Sequence, residues 1–290
     1  MYRKFVKRVK CIWIEIQMKS LYIIYFQSKT NTMKFSYNIL LFIATVSILF
    51  TSCQKDDDDH DHHHHEDPTL TLKMDHRWKS MNLYIDEAKN YDLDNGQSIT
   101  LSEFRYYLTN LELKRADGTW WQEEESYRIV DASNQLDEIV IHDIPEGEYT
   151  DVRFLIGVDS VRNFSGAQEG ALAPSENMFW SWNTGYIFVR VEGTSESIEA
   201  EDKSFEYHIG GFRDPFIASR PIEASFGREL MIRPNSGPSI HFHVFADRFF
   251  EGEAINIDLN QMSRMHMPNE NTVRVADNYS TMIEYDHIHN

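Results

Sequence analysis

Residues 178–191 read Met178-Phe179-Trp180-Ser181-Trp182-Asn183-Thr184-Gly185-Tyr186-Ile187-Phe188-Val189-Arg190-Val191. Ile187, Val189 and Val191 alternate with Phe188 and Arg190, which is the two-residue period of a half-buried strand. Asn183-Thr184-Gly185 supplies a bend just before it. The stretch predicts a strand entered through a turn, with two indoles one residue apart at its mouth and on one side. A core-edge aromatic cluster and a ligand-binding aromatic pair both satisfy that pattern.

Outward from this strand the same period recurs. Leu70, Leu72, Met74 and His76 share one parity, so His76 ends an inward-facing row. Residues 99–115 carry Phe104, Tyr106 and Leu108 on one parity, and Asp117-Gly118 marks a hairpin into Trp120-Trp121. Short strands are expected at 126–131, 138–142 and 149–158, then at 205–211 and 239–247. Residues 159–177 have Gly, Ser and Pro without periodicity and form the longest loop, where function commonly resides. Residues 271–290 fit a helical period through Val273, Ala276, Ile283 and His287. The expectation is one all-β domain over 69–290, an antiparallel β-sandwich closed by a C-terminal helix.

The chain before it has a different character. Residues 1–34 hold eight Lys and Arg against Glu15, or +7 in a 290-residue chain of net −18, which leaves −25 for the remainder. Nucleic acid is thereby an unfavourable partner, because phosphate binding needs a basic face. A second start at Met33, Lys34, the apolar run 39–50 and small Thr51-Ser52 precede Cys53, the arrangement of a bacterial lipoprotein signal. Residues 1–32 then read as an upstream extension, 33–52 as a signal peptide, and Cys53 as the lipidated first residue of the mature chain. The apolar run is shorter than a membrane span of roughly 20 residues, so anchoring falls to acyl chains. Cys11 and Cys53 are the two cysteines, which leaves the mature fold no disulfide. Residues 53–68, with Asp56–Asp59 and five histidines in His60–His65, form a polar tether that also suits loose metal collection. The acids after Cys53 resemble the surface-export signal of Bacteroidetes lipoproteins, which implies anchoring on the outer membrane, exposed or periplasm-facing.

Several histidines are spaced for metal ligation. His241 and His243 lie at i and i+2, so on a strand both point to one side within reach of a common ion. Solvent-facing polar positions give the same alternation. His208 and His287 add further imidazoles, and Met262, Met265, His266 and Met267 a softer group that also serves as core filler. Gly-x-Ser-x-Gly, Gly-rich phosphate loops and Cys-x-x-Cys are absent.

Phe104-Arg105-Tyr106-Tyr107-Leu108-Thr109-Asn110-Leu111, Gly157-Val158-Asp159-Ser160, residues 165–172 (SGAQEGAL), residues 179–186 (FWSWNTGY) and Tyr207-His208-Ile209-Gly210-Gly211-Phe212 resemble, in order, the MbnP-like copper-binding proteins. The resemblance covers about residues 69–290. It implies a copper ion bound with the help of the first Trp of Trp-x-Trp, after a partner di-haem peroxidase of the MauG type oxidises it to kynurenine. Carried over, Trp180 is the modified residue, Trp182 its neighbour, and His76 a copper ligand, with His208, His241, His243 and His287 available to complete or replace the set. The implied role is copper acquisition or homeostasis by a binding protein that is not an enzyme. Two other classes stay open: a surface glycan-binding lipoprotein stacking sugars on Trp180, Trp182 and Tyr186, and a metalloenzyme using His241 and His243 with a carboxylate such as Asp247.

Overall fold

The alternation of Leu70, Leu72 and Met74 belongs to an opening strand, Leu70–Trp78, whose apolar row is buried in a computed structural model describing residues 67–290 apart from Glu87, 135–137, Ala167, Trp182 and Asn183. The leader, Cys53 and the His60–His65 stretch lie outside the described residues, as does Trp182. No helix among the described residues is long and apolar enough to cross a membrane.

The smaller sheet runs from a closing strand, Ile283–His289, through Ser239–Phe245 and the opening strand to Met81–Asn82, with Glu138–Ile141 also paired to the opening strand. The larger sheet orders Arg220–Ile232, Gly147–Ile156, Ser98–Arg115, Val189–Thr194, Ser204–Ile209 and Arg264–Met265. The long strand Ser98–Arg115 also pairs with Tyr91–Asp92, Trp120–Gln122 and Tyr127–Asp131. It continues past a register break between Thr109 and Glu112 by placing Asn110 at φ +53, a conformation that Asn tolerates. Gly118, at φ +88, makes the expected turn into Trp120–Gln122.

Each sheet turns one set of alternate residues inward. Phe242 from the smaller sheet meets Phe154 from the larger edge-on at 5.5 Å, and Tyr285 lies 5.6 Å from Phe226. The all-β sandwich with a C-terminal helix is what the structure contains. Its pairing is mostly antiparallel, with two parallel exceptions. The opening strand pairs parallel to Ser239–Phe245, Lys73 opposite His241 and Asp75 opposite His243, and Ser204–Ile209 pairs parallel to Arg264–Met265. A parallel pair needs a crossover connection, and here most of the larger sheet is the crossover.

Three segments differ from the sequence expectation. The helix at the C-terminal end covers only Glu270–Tyr279, capped by Asn269 and Thr272 and stopped at Ser280. Ile283–His289 is instead a strand, antiparallel to Ser239–Phe245. The helical period holds where Val275, Ala276 and Tyr279 pack on the core, and the β-branched and aromatic residues beyond it find an open sheet edge. The thirteen-residue strand Arg220–Ile232 has no clean alternation, because Gly227 at φ +67 sits in the register break between Ser225 and Leu230. The 159–177 segment is not one irregular loop: it contains a short helix, Ser160–Phe164, capped by Asp159, and 3-10 turns at Gly170–Leu172 and Pro174–Glu176.

That segment holds the strand that follows the tryptophans. Buried Asn163 donates to the Val158 and Asp159 carbonyls at 2.8 and 2.9 Å and accepts from the Tyr186 N–H at 3.0 Å. Asn163→Ala leaves those buried groups unpaired and is expected to cost about 3 kcal/mol, read by urea unfolding.

Candidate metal centre

The opening strand's inward parity delivers His76 between the sheets. Its ring meets Phe104 and Tyr106 at 6.0 and 5.9 Å, and its Nε2 lies 3.3 Å from the Tyr106 hydroxyl. Burial lowers its pKa from 6.5 to about 4, overcoming the raising effects of Asp75, of a hydrogen bond to the Met74 backbone and of Asp131. At neutral pH the imidazole is therefore uncharged, the state a metal requires of it.

Trp180 lies in Phe179–Ser181, which pairs with Gly185–Tyr186. The indole is half-buried and packs on Gly210, where an added Cβ would stand 2.9 Å from its Cζ3 and 2.4 Å from the Tyr186 carbonyl oxygen. Tyr106 and Ile209 both pair with Val189, so the surroundings of His76 and Trp180 share one register row of the larger sheet. The two strands concerned are separated by one between them, roughly 10 Å in all. Indole nitrogen has no free lone pair, so unmodified Trp180 adds no donor to His76. Tyr186 is fully buried, its hydroxyl donating to the Leu172 carbonyl at 2.9 Å. Its ring therefore offers no face to a sugar, which corrects its expected place in a stacking platform.

The remaining histidines fall elsewhere. His208 faces outward from the larger sheet, with its Nε2 2.7 Å from Glu192 Oε1 and its ring stacked on His266 at 4.6 Å. Burial lowers its pKa, against the raising effect of Glu192. The glutamate belongs to a charged ladder in which Arg190 contacts Glu192 at 2.7 Å and Glu103 at 3.1 Å. His208 is thus committed to a surface network and is not a companion of His76.

His241 and His243 occupy the outer face of the smaller sheet, as their alternation with buried Ile240, Phe242 and Val244 requires. His287 stands opposite His241, with the rings stacked 4.2 Å apart, and His289 follows two residues on the same side. One ring nitrogen each from His241, His287 and His289 lies within 4.8 Å of the others. His243 is outside this trio and lies 3.5 Å from both Asp75 and Asp286. Asp247 accepts from the Lys79 N–H at 2.8 Å, so it is occupied as a turn-closing group and is no partner for the imidazoles.

The candidate residues thus divide among three places: His76 between the sheets, His208 outside the larger sheet, and His241, His243 and His287 outside the smaller one. They cannot share one ion. His289 is not among the ligands expected from the sequence, because a helix through the tail separates it from His287, whereas a strand makes His287-Ile288-His289 a second His-x-His.

Since His76 binds a proton more weakly folded than unfolded, the unfolded chain holds the extra proton between pH 6.5 and about 4. The contribution of a neutral His76 is complete above that window and lost on descending through it. The loss amounts to about 3 kcal/mol, and urea unfolding of the metal-free protein across that range should give a shallower pH slope for His76→Gln.

Comparison with curated proteins gives no match. Among solved structures the chain is similar to MbnP from Methylosinus trichosporium, at 16% identity and a TM-score of 0.48, over 71% of this chain and 86% of that one. The MbnP family matches residues 67–269, more than half of the chain. That span includes His76, Trp180, His208, His241 and His243 and ends before His287 and His289: this chain belongs to the MbnP family.

Proposed function

We propose that the protein is an extracytoplasmic, lipid-anchored protein that binds one copper ion between its sheets for copper acquisition or homeostasis, and that it is not itself a catalyst. Membership of the MbnP family supports a copper-associated role. The observation that carries the site is His76, a half-buried imidazole set against Phe104 and Tyr106, with its pKa lowered by desolvation. One of its interactions is to the Met74 backbone, and its Nε2 faces the Tyr106 hydroxyl at 3.3 Å. A ligating histidine is commonly held in this way, by one ring nitrogen while the other is presented.

The second donor is Trp180 after oxidation. Two equivalents of peroxide each give up one oxygen atom to the indole and leave as water. They cleave the C2–C3 double bond to give N-formylkynurenine, and hydrolysis then releases formate to leave kynurenine. The product presents an aniline nitrogen and a ketone oxygen where indole presented neither. A di-haem peroxidase of the MauG type is the partner that would carry the oxidation. Copper, at the top of the first-row stability order, is the ion best retained by such a nitrogen-rich set. Cys53 is the proposed lipid attachment, on the outer membrane.

The alternative classes draw no support from the site. Burial of Tyr186 leaves the glycan platform incomplete, and Asp247 is engaged by Lys79.

The test is copper content and peptide mass across Trp180 in mature protein purified from its own host. Near-stoichiometric copper with kynurenine at Trp180, lost in both His76→Ala and Trp180→Phe, is expected. Tyr106→Phe removes only the group beside Nε2 and should change copper affinity by about tenfold while leaving stoichiometry intact. Copper retained by both His76→Ala and Trp180→Phe would overturn the proposal.

A further inference from the structure

We propose that His241, His287 and His289 form a second metal site, on the open face of the smaller sheet, for one borderline divalent transition-metal ion of the Zn2+ or Cu2+ kind. The site goes beyond the copper site at His76 and is independent of it. His76 points into the sandwich from the opening strand, and His287 and His289 lie past the end of the family match at residue 269.

Backbone register creates the convergence. His241 pairs with His287 and Ser239 with His289, so both positions of the closing strand lie over the same short stretch of its neighbour. The pleat sends 287 and 289 to one side, and cross-strand neighbours on one face approach closely. The rings of His287 and His289 are 4.7 Å apart and perpendicular, and His241 meets His289 at 5.0 Å. Bonds of about 2.0 Å from a tetrahedral ion to two imidazole nitrogens place those nitrogens about 3.3 Å apart. Nε2 of His287 and Nε2 of His289 are 3.0 Å apart, and the full set lies within 4.8 Å. Small side-chain rotations bring the trio to one ion.

The surrounding groups suit a cation. His287 Nδ1 is 2.8 Å from Asp286 Oδ2, so with Nδ1–H donating to the carboxylate, Nε2 keeps its lone pair toward the other two rings. This is the carboxylate–histidine arrangement that orients a metal-bound imidazole and raises its basicity. Ser239 Oγ lies 3.0 Å from His241 Nε2 and steadies that ring. Lys73, the nearest cation on the opening strand, is paired with Glu138 at 2.7 Å. Three imidazole nitrogens match Zn2+ and Cu2+ and are a poor set for Mg2+ or Ca2+, which prefer oxygen. The fourth position faces solvent.

The test uses the full chain with His60, His62, His63, His64 and His65 changed to Ser, so that the tether does not compete. Zn2+ is titrated calorimetrically into this protein, into His287→Gln/His289→Gln, into His241→Gln and into Asp286→Asn. One Zn2+ equivalent that is present in the parent and absent from the double variant and from His241→Gln is expected. Asp286→Asn should bind about tenfold more weakly at unchanged stoichiometry. Unaltered thermal unfolding of the variants establishes that the fold is intact, since these side chains face outward. Equal zinc stoichiometry and affinity in the parent and the double variant would overturn the proposal. The outcome does not depend on copper at His76, because neither His76 nor Trp180 is altered and copper is not the probe.

Discussion

The parallel pairing of the opening strand with Ser239–Phe245 fixes where every candidate ligand of the smaller sheet points. With Lys73 opposite His241 and His76 opposite Val244, one row of the pair faces the larger sheet and the other faces water. A slip of one residue would exchange those faces, expelling Leu70, Leu72 and Met74 and burying Lys73 and Asp75. The hydrophobic cost of that exchange locks the register. His76 is thereby committed to the interior and His241 and His243 to the exterior, whatever their chemistry would otherwise favour. The closing strand inherits the choice, since its pairing to Ser239–Phe245 sets His287 and His289 beside His241.

Burial then gives the two groups of imidazoles different properties. Desolvation between the sheets lowers the pKa of half-buried His76, whose partners are a tyrosine hydroxyl and a backbone group. The outer imidazoles are kept close by strand geometry, and Asp286 is held below the usual carboxylate range chiefly by its hydrogen bond to His287. The inner place suits a single ion held under restricted access. The outer place exchanges freely with solvent.

Much of the sandwich was legible in the sequence, because strands with one buried face write their period directly. Leu70, Leu72 and Met74, then Phe104, Tyr106 and Leu108, then Ile240, Phe242 and Val244 all kept the predicted orientation. The strand Arg220–Ile232 was not legible, since its bulge at Gly227 breaks the period. The tail was misread because the apolar positions of a true helix, Glu270–Tyr279, run into a strand without an intervening glycine or proline to mark the boundary. His208, His241 and His287 were visible as residue types, but the division between inner and outer faces depends on pairing partners far apart in sequence. Neither spacing nor composition encodes that distance.

Anomalous diffraction at the copper edge, from crystals of copper-loaded protein purified from its own host, locates the ion relative to His76 and the outer imidazoles. A copper peak at bonding distance from His76, between the sheets and beside residue 180, is expected. Copper found only among the outer imidazoles, with His76 still on Tyr106, would contradict it.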